Sequence, residues 1–441
     1  MELSEIALVV GGLGLLLFGM KMMSTGLEAA AGDSLQTILK RATSNRLLGV
    51  LAGILATICI NSSTAVTIIT VGFVNSRLIN LTQAIGIIMG ANVGTTFSAQ
   101  IMAFRISTIV PFFIFIGVIM YLFFKQRTVK NVGYVILGFG ILLFSIDLMG
   151  GPLKEFSKDP MFEAMLGAIE NPLAALFAGF AFTAVIQSSS ATMGILVAMT
   201  GAGVPIPFAT SAFIILGTNI GTSMTTVLAS IPASRESKRA ALFHISYDII
   251  GSTIFGSLIF VVGQISGSAG NPILNWFTTT WTAADRQVTM FHTLYNIATL
   301  CVLFPFVKWL ALLMEKIVPV KQGEVIKTYE RKLLYLDEKI MRTPTVAVMS
   351  AHNEICRMGE IANENMALAL KSFFERNTDK AKIVLENEKT VNYLHQKISS
   401  KLVEINHMRL SKQDSERVGR MFGLLTDMER IGDHAVITSS G

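Results

Sequence analysis

One polar sequence occurs twice inside stretches that are otherwise apolar enough to enter a bilayer, and this constrains the chain more than any other feature. Thr57-Ile58-Cys59-Ile60-Asn61-Ser62-Ser63-Thr64-Ala65 returns as Thr183-Ala184-Val185-Ile186-Gln187-Ser188-Ser189-Ser190-Ala191. About thirty residues after each comes a second echo, Gly90-Ala91-Asn92-Val93-Gly94-Thr95 and then Gly217-Thr218-Asn219-Ile220-Gly221-Thr222. At a fixed offset of 126, residues 12–67 align with 138–193 without a gap, and 18 of those 56 pairs are identical. Polar backbone is tolerated at membrane depth only where it is packed in protein or lines a wet cavity. Matched interruptions in the two halves of a duplicated membrane chain are the best sequence pointer to a binding site.

Composition supports the membrane reading. Of 441 residues 51% are hydrophobic and only 15% charged, against about 25% charged in an average globular domain. The charge is uneven. Residues 321–441 hold 19 of the 36 Lys and Arg and 17 of the 30 Asp and Glu, so an apolar region to about residue 319 precedes a charged, soluble tail. The net charge of +6 is spread over short loops, with a nearly neutral tail, which argues against a nucleic-acid partner. Cys59, Cys301 and Cys356 lack metal-ligand spacing and read as isolated small residues without a disulfide framework. Glu2 and Glu5 stand where a cleavable signal would carry basic residues.

Apolar runs long enough to span a bilayer lie near 4–24, 81–104, 106–124, 130–150, 207–231, 239–263 and 288–314. Two more, near 47–74 and 172–200, are interrupted at the Asn61 and Gln187 clusters. Each reads as two half-length helices meeting at a polar tip, a re-entrant hairpin. Stretches near 25–45 and 153–170 read as interfacial. If both hairpins re-enter, the first repeat contributes three spans, and an odd number inverts the second copy. With the N-terminus outside, Lys40, Arg41, Arg46, Lys125, Arg127, Lys130, Arg235, Lys238 and Arg239 all fall inside, as the positive-inside rule requires. The expected fold class is an all-α membrane protein with two inverted-topology repeats, each with a re-entrant hairpin and a broken helix. Its parts are repeat 1 (1–125), repeat 2 with a final membrane helix (126–319), a linker helix (320–344) and a cytoplasmic three-helix domain (345–441). Its place is the cell (inner) membrane, multi-pass.

The tips carry the chemistry. A half-helix beginning at membrane depth presents unpaired N–H groups and a positive dipole end, a ready anion site. Ser62, Ser63, Thr64, Ser188, Ser189 and Ser190 add hydroxyls that can donate to an oxyanion. The same oxygens, or unwound carbonyls, can coordinate a hard cation such as sodium, and Asn61 and Gln187 can do either. No Lys or Arg lies near either cluster, so dipoles and co-bound cations would balance the anion's charge. In the second echo the glycines would let the span unwind and Asn92, Thr95, Asn219 and Thr222 would offer oxygens. The alternative is close helix packing through small residues. A third echo, Phe243-His244-Ile245-Ser246-Tyr247-Asp248 and Phe291-His292-Thr293-Leu294-Tyr295-Asn296, puts His and Asp or Asn on one helix face. His244, Asp248, His292 and Asn296 read as an ion relay or as helix–helix hydrogen-bonding pairs. Asp147 is a weaker candidate of the same kind.

These residues resemble the type II sodium/phosphate cotransporters, which carry Gln-Ser-Ser-Ser in each of two inverted repeats followed by Gly-x-Asn-x-Gly-Thr. Gln187 to Ser190 match in full, and Asn61 to Thr64 substitute Asn for Gln and Thr for the third Ser. The resemblance covers roughly residues 5–315. It implies sodium-driven uptake of inorganic phosphate by alternating access. Phosphate would lie at Asn61, Ser62, Ser63, Thr64, Gln187, Ser188, Ser189 and Ser190. Sodium would lie at Gln187, Ser190, Thr192, Asn92, Thr95, Asn219, Thr222 and Thr64. Phosphate, sodium and lipid are then the partners, with oligomeric state open and no organic cofactor.

The tail breaks into helical stretches near 345–376, 378–408 and 412–437, with Thr378-Asp379 placed for an N-cap. Asp427-Met428-Glu429-Arg430-Ile431-Gly432-Asp433-His434-Ala435 resembles the PhoU-type domain of some bacterial members of that family. Full PhoU proteins carry two three-helix units, and this tail has about one. In that family Glu and Asp at i, i+4 bind metal, so the resemblance implies a metal at Glu429 and Asp433, a spacing that a solvated helix face also shows. No nucleophile–base pair or nucleotide loop appears, and no enzyme activity is expected. A carrier of another anion such as a dicarboxylate, or a phosphate sensor with little flux, are the rival readings.

Overall fold

The computed structural model describes residues 3–41, 46–75, 79–104, 107–231, 233–267, 270–319, 329–336, 341, 344–375, 378–408 and 410–440. Among these the regular structure is helical. In chain order the helices are α1 (Leu3–Arg41), α2 (Arg46–Ile60), α3 (Ser63–Asn75), α4 (Leu81–Met102), α5 (Val110–Phe123), α6 (Arg127–Phe156), α7 (Pro160–Ala168), α8 (Pro172–Ile186) and α9 (Ser189–Gly201). Then follow α10 (Phe208–Ser230), α11 (Arg235–Ser266), α12 (Pro272–Thr280), α13 (Ala284–Leu303), α14 (Val307–Ile317), α15 (Pro344–Glu375), α16 (Thr378–Asn406) and α17 (Lys412–Ser440). The chain divides into two compact units. The first comprises Met1–Thr70, Asn80–Leu228 and Arg239–Met314, the second Val71–Ile79, Ala229–Lys238 and Glu315–Gly441.

Asx–Pro pairs start three helices of the first unit. Asp159, Asn171 and Asn271 accept backbone N–H bonds in front of Pro160, Pro172 and Pro272. Proline at the first helical position costs nothing, because its missing N–H would be unpaired there. Asn80 and Gln83 close a reciprocal capping box on α4. Among the described residues six segments are long and apolar enough to cross a membrane: Leu3–Ala30, Leu81–Met102, Arg127–Phe156, Phe208–Ser230, Arg235–Ser266 and Ala284–Ile317. Ser107–Phe123, expected as a span, is shorter. Its 3-10 turn and α5 reach about 27 Å against a hydrocarbon core of about 30 Å, a mismatch that local thinning accommodates. Large apolar side chains such as Leu173, Phe177, Val185, Phe260 and Trp309 stay exposed, as lipid-facing surfaces require.

Two expectations change. The stretch 25–45 is not a separate interfacial segment, because α1 continues without a break to Arg41. No proline interrupts it, and Ala29–Ala31 favour propagation. Gly19 of α1 meets Gly138 of α6: a Cβ on either would stand 2.6–2.7 Å from the nearest backbone atom of the other helix. More important for the site, α4 and α10 run unbroken through Gly90–Thr95 and Gly217–Thr222. The broken helices expected there do not form. The glycines pack helices instead: a Cβ on Gly90 would overlap the Val50 carbonyl of α2, and one on Gly217 the Leu176 carbonyl of α8. Gly53 and Gly179 answer from the other side, against Ile87 and Ile214. Each hairpin's first leg is thus seated on the following span by the same pair of glycines.

In the second unit, α15, α16 and α17 share a core that includes Ala351, Ile355, Met358, Leu394, Ile398, Leu402, Val418 and Leu425. Each such large side chain removed from water contributes roughly 1.5–3 kcal/mol. The three helical stretches expected in the tail are present, while the side chains of Thr378 and Asp379 lie outside the described residues. Of the expected linker helix, residues 320–328, 337–340, 342 and 343 lie outside the described residues, and 329–336 are not helical. Glu354, fully buried on α15, accepts from the Leu334 and Tyr335 N–H groups at 2.8 and 2.6 Å. Those donors therefore need no helical carbonyl. The same unit holds the end of α3 and the α10–α11 turn: Ser237 Oγ donates to Val71 O at 3.1 Å and Arg235 Nη1 to Pro319 O at 2.8 Å.

Candidate functional site

The two duplicated clusters fold alike. α2 ends at Ile60 and α3 begins at Ser63; α8 ends at Ile186 and α9 begins at Ser189. Between them Asn61 and Gln187 adopt φ of 55° and 59°, the only positive-φ non-glycine residues among those described. A left-handed backbone at the break costs of order 1–3 kcal/mol per non-glycine residue. Such strain clusters at ligand sites, and here it falls on the two amides that open the repeated motif. Ser62 and Ser188 then act as N-caps: their Oγ atoms accept from Ala65 N and Ala191 N, each at 3.2 Å. Capping occupies an acceptor lone pair and leaves the O–H free to donate. Among the described residues, the hydroxyls of Ser63, Thr64, Ser189 and Ser190 bond no other group in the chain, although Ser63 and Ser189 are buried.

The tips differ in exposure. Asn61 is buried and its Oδ1 accepts from Ser98 Oγ of α4, while Ser24 of α1 donates to Ile60 O at 2.7 Å. Gln187 is exposed. Thr192 and Thr183 pair at 2.8 Å across the legs of the second hairpin. Their first-repeat counterparts are Val66 and Thr57, and Thr57 Oγ1 is buried without a partner.

The second and third echoes meet each other. Asn92 Nδ2 donates to Asp248 Oδ1 at 2.6 Å, and Asn92 Oδ1 lies 3.2 Å from His244 Nε2. Asn219 Nδ2 donates to Asn296 Oδ1 at 3.0 Å, and Asn296 Nδ2 to His292 O at 2.8 Å. A buried line of polar groups continues outward from the first couple: His244 Nδ1 lies 3.0 Å from Thr226 Oγ1, which lies 3.1 Å from Thr67 Oγ1 of α3. With the proton assigned to Nε2, His244 donates to Asn92 and accepts from Thr226, and every group in the line is satisfied. Among the described residues of the third echo, Tyr247 Oη, Asp248 Oδ2 and both ring nitrogens of His292 are buried without a hydrogen-bond partner, and His244 Nε2 lies 3.5 Å from Asp248 Oδ2. A buried group without a partner costs about 1–3 kcal/mol, more when charged.

Thr95 and Thr222 sit inside intact helices, bonding Ala91 O and Thr218 O at 3.0 and 2.9 Å. Their hydroxyl protons are spent on the helix, while the oxygen lone pairs remain. Ser98, Thr226 and Thr67 were not legible as site residues. The only signal was their position one or two turns beyond a motif residue on the same helix. Asp147 lines a separate cavity of about 200 Å³ with Asp285, Ser107 and Val110.

The metal implied for the tail would lie at Glu429 and Asp433 of α17. Among the described residues no three His, Cys, Asp or Glu side chains gather with metal-binding geometry. Glu429 and Asp433 face Glu388 of α16, a carboxylate only 7% exposed whose oxygens have no hydrogen-bond partner. Burial first, then the charges of Asp433 and Glu429, push its pKa up to about 7. The cluster therefore sheds charge by holding a proton.

Comparison with known proteins fits this geometry. The Na+/Pi-cotransporter family model matches residues 15–151 and 141–268, one match per repeat, and the PhoU domain model matches 355–439. The protein YjbB of Salmonella typhimurium, provisionally named for inorganic phosphate export, is 28% identical over 438 residues, covering 96% of this chain and 76% of its own. YqeW of Bacillus subtilis, uncharacterized, is 26% identical over 309 residues, 69% of this chain and 95% of its own. The rat sodium-dependent phosphate transport protein 2A is 35% identical over 104 residues, 23% of this chain and 16% of its own. No solved structure matches. Two family matches that each contain one hairpin, followed by the PhoU domain, make this chain a member of the Na+/Pi-cotransporter family.

Proposed function

We propose that the chain is a sodium-coupled carrier that takes up inorganic phosphate, with the two hairpin tips as its substrate site. The observation that carries this is the matched pair of strained tips, each opening a 13-residue half-helix with unbonded hydroxyls at its start. Two N-terminal helix ends supply roughly half a positive charge each. The hydroxyls of Ser63, Thr64, Ser189 and Ser190 donate to phosphate oxygens, and Ser62 and Ser188 hold the first turns in shape. A phosphate dianion without a nearby Lys or Arg needs cations beside it. Gln187, Ser190, Thr192, Thr64, Asn92, Thr95, Asn219 and Thr222 offer neutral oxygens suited to sodium, and Asp248 Oδ2 offers a carboxyl oxygen. The reading keeps the repeats inverted, the N-terminus outside and the tail cytoplasmic, because that arrangement obeys the positive-inside rule. Burial of the Asn61 tip and exposure of the Gln187 tip suit alternating access, one tip closed while the other is open.

Export is the second reading, favoured by the name of YjbB. Radiolabelled phosphate in proteoliposomes separates the two. Uptake predicts accumulation with sodium outside and none with potassium. Accumulation indifferent to that exchange defeats sodium coupling, and net efflux against an inward sodium gradient favours export.

A further inference from the structure

The second unit holds a cavity of about 370 Å³ between α15 and α17 that the transport reading does not use. Its lining divides by chemistry. Val348 and Met349 of α15 with Met421 and Leu424 of α17 make an apolar floor. Arg417 and Arg420 of α17, with His352 and Asn353 of α15, make a polar rim. No carboxylate lines it. Arg417 is held in an i, i+3 ion pair with Asp414 at 3.6 Å, just outside the lining. Ser411 caps α17 by accepting from Asp414 N at 3.1 Å.

We propose that this cavity binds a nucleoside diphosphate or triphosphate. Guanidiniums three residues apart on one helix face are about 5–6 Å apart at Cβ, and each can grip a phosphoryl group through two N–H donors. Two such forks suit consecutive phosphoryl groups better than one orthophosphate. The volume falls in the range of small-molecule pockets, roughly 300–1,000 Å³, and exceeds what a single phosphate fills. The polarizable floor of two methionines, a valine and a leucine suits the face of a flat base. His352 and Asn353 bring directional donors and acceptors to the edge of the base or to the ribose. The tail would then report the cell's nucleotide charge, whatever anion the membrane domain carries.

Calorimetric titration of the full-length chain in detergent tests this, with ADP as probe and adenosine, pyrophosphate and inorganic phosphate as partial ligands. ADP is expected to bind, each partial ligand at least tenfold more weakly. Arg417→Ala/Arg420→Ala should weaken ADP at least tenfold with an unchanged unfolding temperature. Leu424→Glu, at a position already 42% exposed, should do the same from the apolar side. Ser189→Ala should leave ADP binding unaltered, which keeps this site distinct from the membrane one. Absence of ADP binding at millimolar concentration, or full binding in both tail variants, overturns the proposal. So does capture of anionic phospholipid micelles through the arginine pair in place of ADP.

Discussion

Gln187 shows how much one residue decides. It holds φ of 59° with its side chain exposed, so its backbone strain is unrelieved by packing. Gln187→Val, β-branched at a positive φ, should lower stability by about 1–3 kcal/mol, read as earlier thermal unfolding in detergent. Ser189→Ala behaves differently. Its hydroxyl bonds nothing in the chain, so stability should hold while phosphate transport falls about 10- to 100-fold, the worth of one hydrogen bond to a charged ligand. Glu388 supplies a pH dependence. Its folded pKa, about 7, lies above the ordinary 4.5, so folding favours the protonated form. That stabilisation is complete below 4.5 and fades as pH rises through 7. Glu388→Gln should flatten the pH dependence of tail unfolding across that window and make the tail more stable than the native sequence at pH 8.

At the scale of elements, the helix breaks at the two polar clusters are legible in the sequence and the unbroken spans after them are not. Asn61-Ser62-Ser63 and Gln187-Ser188-Ser189 interrupt apolar runs at their middle, and the helices end and restart there. Gly-x-Asn-x-Gly-Thr suits two uses, unwinding toward a ligand or close helix contact, and what decides is the helix opposite. That is a tertiary fact: Val50 and Leu176 carbonyls fill the space over Gly90 and Gly217. The linker was misread for a similar reason, because Glu354 takes up the backbone donors from twenty residues away. The glycine account predicts a contrast. Gly217→Ala should cost about 1–3 kcal/mol as an overpacked contact, whereas Gly14→Ala, with nothing within 4 Å, should cost nothing. Melting temperatures of the two variants in the same detergent check it.

For the whole molecule, the division into an apolar region and a charged tail was plain from composition, and the family and PhoU matches fall on either side of it. Pairing between echoes was not legible. Asn92 with Asp248 and Asn219 with Asn296 are separated by 156 and 77 residues, and nothing local announces such contacts. The couples differ in that Asp248 carries a buried carboxyl where its echo, Asn296, has an amide. Asp248→Asn would equalise them. If that carboxylate holds a coupling cation, the substitution should raise the sodium concentration for half-maximal transport several-fold with little change in folding, as sodium titrations of uptake would show.

The central claim is that the two strained tips form one phosphate site. Sodium-driven uptake of radiolabelled phosphate in proteoliposomes should be compared for the native chain, Ser63→Ala, Ser189→Ala and the half-buried control Ser157→Ala. The account predicts loss of at least about tenfold in each tip variant and none in the control. Native uptake in both tip variants, with equal protein reconstituted, would contradict it.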